Sequence, residues 1–537
     1  MAQAFLTLES VSYVLPDGNT LFSNLSEQFD LRHTGLVGRN GVGKSVLARI
    51  LARQITPSAG RSVCSGRVHY LAQQISTFEH VSVSVLAGIH HVIDALERIE
   101  AGSSDPADFD QVADQWNIRD KLQLELEQNG LGHLTPHTPA HRLSGGEAMR
   151  VALIGARLAN PDFLILDEPS NHLDRAHRRA LIEYLQRWSG GLIVISHDRE
   201  LLQTMSRIVE LSTSGLRSYG GNYLFYRQTK NQENTSAIAQ LERLKHERKR
   251  EQQLLREKRE RQQQRQSQGH KEARTANQAK ILLGGQKNRS EASAGRLQRQ
   301  QAQQLEALAE KVHDAAQQVD RSAQIVMHLE QAEHASRRLI AELREVELPF
   351  VQPHLKKIDL TLSSRQRVAL IGNNGCGKST LLKVLAGQME PLSGHRAVLV
   401  QSAYLDQQLS LLNPDRSVIE QLLQVNHLAG EALLRMQLAQ LGLNARHITV
   451  PSRLLSGGER LKATLACAIY AHPAPQLLLL DEPSNHLDLE TLEALEGLLQ
   501  QYPGALLVVS HDEEFLHRIR LSERLEATPQ GWRLDAW

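Results

Sequence analysis

The sequence predicts a mixed α/β protein in which one domain occurs twice in tandem, the two copies joined by a long α-helical hairpin. Three observations predict it. The nonapeptide LDEPSNHLD stands at residues 166–174 and again, unchanged, at 480–488. A glycine-rich loop, preceded by an apolar run and followed by a helical pattern, occurs in each half: GRNGVGKS at 38–45 and GNNGCGKST at 372–380. Between the copies lies a stretch rich in Gln, Arg, Lys and Glu with almost no aromatic residues or prolines.

A chain of 537 residues exceeds one ordinary core and accommodates two domains and a connector. Its 61 basic and 60 acidic residues nearly cancel, which excludes a uniformly basic nucleic-acid binder. Cys64, Cys376 and Cys467 form no CxxC pair, so neither a disulfide framework nor a zinc site is expected, and all three are assigned to packing. No apolar run approaches the ~20 residues that span a bilayer, and the expected location is the cytoplasm.

The repeat extends over whole domains. Lys44 to Gln73 and Lys378 to Gln407, from each glycine loop to a YLxQ stretch, are both 29 residues; Glu168 to His197 and Glu482 to His511 are also both 29. LSGGE lies between these blocks at 143–147 and 455–459. One spacing differs: Gln73 to Ser144 is 71 residues and Gln407 to Ser456 is 49, so the first half carries 22 extra residues within about 80–130. They read as helix, turn, helix, and are either an enlarged helical subdomain or a short projecting arm. The expected domains are 1–228, a connector at 229–322, and 323–537.

The connector is basic. Residues 241–300 hold 17 Lys or Arg against 7 Asp or Glu, a net +10, leaving −9 elsewhere. A helix over 223–266, about 65 Å long, is expected. Leu305, Leu308, Val312, Ala315 and Val319 make one apolar stripe for a returning helix. Between them, Lys271, Arg274, Lys280, Lys287, Arg289 and Arg296 would form an exposed basic tip suited to a polyanion such as RNA.

Each motif has a task in phosphate chemistry. Gly38, Arg39, Asn40, Gly41, Val42, Gly43, Lys44 and Ser45, and in the second half Gly372, Asn373, Asn374, Gly375, Cys376, Gly377, Lys378, Ser379 and Thr380, match GxxxxGK[ST], whose backbone N–H groups wrap phosphates. Lys44 and Lys378 would contact β and γ phosphates, and Ser45 and Ser379 would offer hydroxyls to Mg²⁺. Asp167 and Asp481, at the ends of apolar strands, would join the Mg²⁺ shell, with Glu168 and Glu482 placed to activate water. Ser144, Gly145 and Gly146, like Ser456, Gly457 and Gly458, open a second anion-seeking helix in each half, one more than a single nucleotide needs.

This motif set resembles the ATP-binding cassette superfamily, in which two cassettes pack head to tail. The resemblance implies two tandem P-loop ATP-binding cassette domains, with Lys44 and Asp167 sharing one ATP with Ser456–Gly458 while Lys378 and Asp481 share the other with Ser144–Gly146. His197 and His511 match its switch histidine, and Gln73 and Gln407 its Q-loop glutamine near the metal. Two complete cassettes in one chain, the charged connector, the NHLD continuation and YGGNYLFY at 219–226 resemble the ABC-F family over nearly the whole chain.

Membership would imply an ATPase acting on the ribosome, its linker reaching rRNA and P-site tRNA near the peptidyl-transferase centre. It would also imply a monomer with an intramolecular cassette pair, no membrane partner, and an arm at the 22-residue insertion. Ribosome protection against an antibiotic is the alternative; powering a transporter or DNA repair fits the motif order less well. Phe350 aligns with the adenine-stacking aromatic, but the first half has Leu15 there, with Tyr13 as a possible substitute.

Overall fold

The computed structural model describes residues 4–73, 81–171, 173–275, 302–303, 305–316, 339–407, 409–485 and 487–537. They divide into two compact units, one formed by Met1–Leu224 with Ala323–Trp537 and the other by Phe225–Ser322.

Within the first unit each half contains a six-stranded sheet of one topology. In the first half the strand order is Val68–Leu71, Phe163–Asp167, Gly191–Ile195, His33–Val37, Arg207–Ser212 and Gly215–Tyr219. The second repeats it with Ser402–Leu405, Leu477–Asp481, Ala505–Val509, Arg367–Ile371, Glu523–Thr528 and Gly531–Ala536. All neighbours are parallel except the final hairpin. Strands such as FLILD and LLLLD are buried along their full length because helices cover both faces, which is why they read as unbroken apolar runs. A three-stranded antiparallel sheet flanks each large one.

The strand order places the carboxyl ends of Phe163–Asp167 and Gly191–Ile195 beside the loop leaving His33–Val37. Ligands of open parallel sheets bind at such ends.

The 22-residue excess folds into the helical subdomain. Helices His90–Glu100, Pro106–Val112 and Ile118–Gln128 place Val92, Ile93, Val112, Ile118, Leu122 and Leu126 in one buried cluster with Val151 and Ile154 of the Gly145–Ala159 helix. Arg98 Nε donates to Asp108 Oδ1 at 2.8 Å, and Ser103 Oγ to Asp108 Oδ2 at 2.7 Å. Apolar residues at helical spacing give these helices a shared buried face.

In the second unit a helix runs over Tyr223–Thr275, 53 residues or about 80 Å, longer than the expected 223–266. The stretch past Gln266 has no proline to stop it, and Arg256–Glu260 and Glu257–Arg261 pair at i,i+4 along its polar surface. Residues 305–316 are helical, with Ala315 buried and Leu305, Leu308 and Val312 half-buried as the stripe predicts; Val319 lies outside the described residues. Lys271 and Arg274 lie on the long helix, whereas Lys280, Lys287, Arg289 and Arg296 lie outside the described residues. Among the described residues no helix is long and apolar enough to cross a membrane.

Candidate functional site

The glycine loops form because Gly43 and Gly377 take left-handed backbone, φ 102° and 100°, immediately before helices Lys44–Leu51 and Lys378–Leu385. A Cβ at Gly43 would stand 2.6 Å from Leu21 Cδ2, and one at Gly377 2.7 Å from Val351 Cγ2. Each loop lysine is buried and folded back onto its own loop: Lys44 Nζ donates to the carbonyls of Gly38 at 2.8 Å and Arg39 at 3.1 Å, and Lys378 Nζ to those of Gly372 at 2.7 Å and Asn373 at 3.0 Å. Burial lowers the affinity of the Lys44 ammonium for its proton, against the attraction of Glu168, Asp488 and Asp167.

Asp167 and Asp481 end their strands beside these lysines. Burial pushes both carboxyls up, opposed by hydrogen bonds from Ser45 and Tyr70 in one case and Ser379 and Tyr404 in the other. The tyrosine hydroxyls donate to Asp167 Oδ2 and Asp481 Oδ2 at 3.2 Å each. Oδ1 of both aspartates is buried without a hydrogen bond among the described residues. A hard divalent ion suits such an oxygen, and Mg²⁺, which takes most ligands from water and phosphate, needs few more. The residues present therefore fit Mg²⁺.

Glu168 and Glu482 follow, with φ 49° and 50°, a conformation that costs a non-glycine residue about 1–2 kcal/mol. Their N–H groups are held by the carbonyls of Ile195 at 2.8 Å and Val509 at 2.9 Å. Desolvation raises both carboxyls, Glu482 to about 7, despite the nearby lysines. Against them lie the histidines: His197 Nε2 is 3.5 Å from Glu168 Oε1, and His511 Nε2 3.4 Å from Glu482 Oε1. Burial lowers both imidazoles, His511 to about 4, so each is neutral at pH 7. A strained, desolvated carboxyl beside a neutral imidazole, one strand end from a lysine, is an arrangement able to take a proton from water.

The two halves meet across one cavity of about 1010 Å³ lined by Lys44, Ser45, Gln73, Asp167, Glu168 and His197 and by Lys378, Ser379, Gln407, Asp481, Glu482 and His511. Asn40 N–H donates to Asp488 Oδ2 at 3.0 Å, Asn374 N–H hydrogen-bonds Asp174, and Arg39 pairs with Glu490 at 2.6 Å. Each glycine loop thus touches the NHLD aspartate of the opposite half, a head-to-tail relation.

Gly457 lines this cavity; Gly146 instead lines a second one beside His177, and Ser144 and Gly145 line neither. Ser144 and Ser456 cap the helices that follow, each in a reciprocal capping box with Glu147 or Glu459. Leu15 and Phe350 both line the first cavity, Phe350 being 91% exposed. Tyr13 does not; its ring lies 6.3 Å from Phe22 in the small flanking sheet. Cys376 and Cys467 are buried and Cys64 half-buried.

Sequence reasoning missed the two tyrosines, although the matching YLxQ blocks contained the signal. It also missed Asp174 and Asp488, whose partners are distant in sequence.

The ABC transporter family model matches residues 28–171 and 355–485, one stretch in each half. The ATP-binding protein Uup of Haemophilus influenzae is 32% identical over 514 residues, 90% of this chain and 72% of that protein. ATP-binding cassette sub-family F member 3 of Mus musculus is 29% identical over 508 residues, 91% of this chain and 66% of that one. The chain belongs to the ABC-F family. It is an ABC-F ATPase, converting ATP and water to ADP and phosphate through its tandem cassettes. The fold is shared with the archaeal ribosome recycling factor aABCE1, solved in complex with the ribosomal stalk protein aP1, at 17% identity and TM-score 0.56 over 98% of this chain and 89% of that one.

Proposed function

We propose that this ABC-F ATPase binds the ribosome and uses cassette closure and ATP hydrolysis to time its residence there, with the basic connector contacting tRNA or rRNA near the peptidyl-transferase centre. The observation that carries this reading is charge segregation: +10 over residues 241–300, on and just beyond a helix about 80 Å long, in a chain whose remainder is net −9.

In the site, Lys44 and Lys378 leave their loop carbonyls to take up β and γ phosphates, and the backbone N–H groups of both glycine loops complete the cradle. Ser45, Asp167 and Gln73, with Ser379, Asp481 and Gln407, would hold Mg²⁺, which would offset phosphate charge. Glu168 and Glu482 accept the proton of the attacking water. His197 and His511, neutral, orient that water and the γ-phosphate. Ser456–Gly458 close the first site and Ser144–Gly146 the second, so that neither is complete until the cassettes approach. Phe350 stacks adenine in the second site, and Leu15 gives an apolar contact in the first.

Cosedimentation with ribosomes tests the reading. The Glu168→Gln/Glu482→Gln protein with ATP should remain bound, and the wild type with ADP should not; equal binding in both would refute it. Reversing Lys271, Arg274, Lys280 and Lys287 should weaken binding and flatten its salt dependence while ATP hydrolysis without ribosomes stays unchanged.

A further inference from the structure

Four residues after Asp174, on helix Arg175–Gln186, Arg178 is 8% exposed and stands at the wall of the cavity shared by the two halves. It forms an ion pair with Asp198, the residue after His197, and its Nη1 donates to the main-chain carbonyl of His511 at 3.0 Å. One buried side chain therefore joins the two histidine loops, from different cassettes. Asp512, after His511, adds to the field that keeps this guanidinium charged.

The bridge has a fixed end and a gripping end. Asp198 is anchored within the first cassette: its N–H donates to Ser196 Oγ at 3.0 Å and its Oδ1 accepts the Leu201 N–H at 3.0 Å. The His511 loop is the far end, and there the histidine main-chain N–H lies 3.4 Å from Glu482 Oε2 while Nε2 meets Asn374 Oδ1 at 3.1 Å. At the corresponding position of the second cassette, 314 residues on, stands Leu492, buried and apolar, so among the described residues no guanidinium holds the main-chain carbonyl of His197; that helix reaches the first cassette instead through Glu496, which pairs with Arg199.

We infer that Arg178 is a positioning residue that makes hydrolysis at the Lys378–Glu482–His511 site depend on the histidine loop of the first cassette, through a grip on the histidine carbonyl that the second cassette does not duplicate. The carbonyl it holds belongs to the residue whose imidazole lies against Glu482, so releasing the carbonyl lets that imidazole drift from the γ-phosphate position. Reacting atoms misplaced by about 1 Å lose rate rather than substrate affinity. This inference concerns ATP hydrolysis alone and is independent of the ribosome reading.

The test isolates each site in the full chain. Glu168→Gln leaves the second site working and Glu482→Gln the first. Adding Arg178→Leu should lower kcat about tenfold in the Glu168→Gln protein with KM for ATP within about twofold, and change kcat less than about twofold in the Glu482→Gln protein. Because Arg178→Leu leaves Asp198 buried without its cation, Arg178→Leu/Asp198→Asn is measured beside it, with thermal unfolding as the check on folding. Arg178→Lys, which keeps the charge but loses the planar fork, should restore the unfolding temperature without restoring kcat. Equal losses in the two backgrounds, or no loss with Glu168→Gln, would overturn the inference.

Discussion

The Lys44 and Lys378 sites repeat one another closely in their polar skeleton. Lysine to first loop carbonyl is 2.8 against 2.7 Å, tyrosine to aspartate 3.2 Å in both, and glutamate to histidine 3.5 against 3.4 Å. Their surroundings do not repeat. His511 Nε2 meets Asn374, whereas neither ring nitrogen of His197 has a hydrogen-bond partner among the described residues. Phe350 faces the cavity where Leu15 does in the first site.

The helices after the two NHLD motifs carry opposite charge, RAHRRALIEYLQ against LETLEALEGLLQQ. These differences meet as complements: Arg175 and Arg179 pair with Glu513, Arg199 with Glu496, and Arg39 with Glu490. The lesson is that the lysine, aspartate, glutamate and histidine of the phosphate site are kept alike in both copies, while the surfaces around them have diverged so that a first cassette fits a second. Two first cassettes would bring arginine to arginine.

The strongest way to break the comparison is at the shared skeleton. Glu168→Gln/Glu482→Gln should reduce phosphate release about a thousandfold, and each single variant should retain measurable turnover from the other site. Next comes the complementary interface. Arg199→Met leaves Glu496 buried against Arg518 alone and should cost about 3–5 kcal/mol in a urea titration.

A third measurement separates folding from catalysis. The folded-state pKa of Glu482 is raised to about 7, so the native state holds this proton more tightly than the unfolded chain. Its stabilising contribution is complete below the unfolded value near 4.5 and is lost as pH rises through about 7. Glu482→Gln should therefore raise the melting temperature of the nucleotide-free protein at pH 8, by up to about 3 kcal/mol in stability, and leave it unchanged near pH 4.

Smaller effects sharpen the asymmetry. Phe350→Ala should weaken ATP binding at the second site about tenfold, and Leu15→Phe should strengthen the first by a similar factor, both read by titration in the double Gln background. Arg39→Ala, removing a partly exposed pair, should cost under about 1 kcal/mol, and that difference should vanish in high salt.

Much of the site was legible because its chemistry forces residue type and spacing together. Gly43 and Gly377 must adopt positive φ, Asp167 and Asp481 must end a buried strand, and a lysine must open the helix; each leaves a local pattern. The doubling made the reading firmer, since Glu168 to His197 and Glu482 to His511 keep one spacing through unrelated intervening residues. The packing of the 22-residue excess was less legible, because it depends on which apolar surfaces are free to be covered.

The sequence by itself determined the two α/β halves, their glycine loops, the acidic strand ends and the segregated charge, all set by short-range chain geometry and composition. Only the tertiary structure decided that Asn40 faces Asp488, that Tyr70 and Tyr404 hold the aspartates, and that Arg178 spans from Asp198 to the carbonyl of His511. Residues 333 positions apart leave no periodicity in a single sequence. Their meeting is fixed by how two sheets and their helices pack, and an arginine in a helix reads as a solvated charge until that packing removes the water.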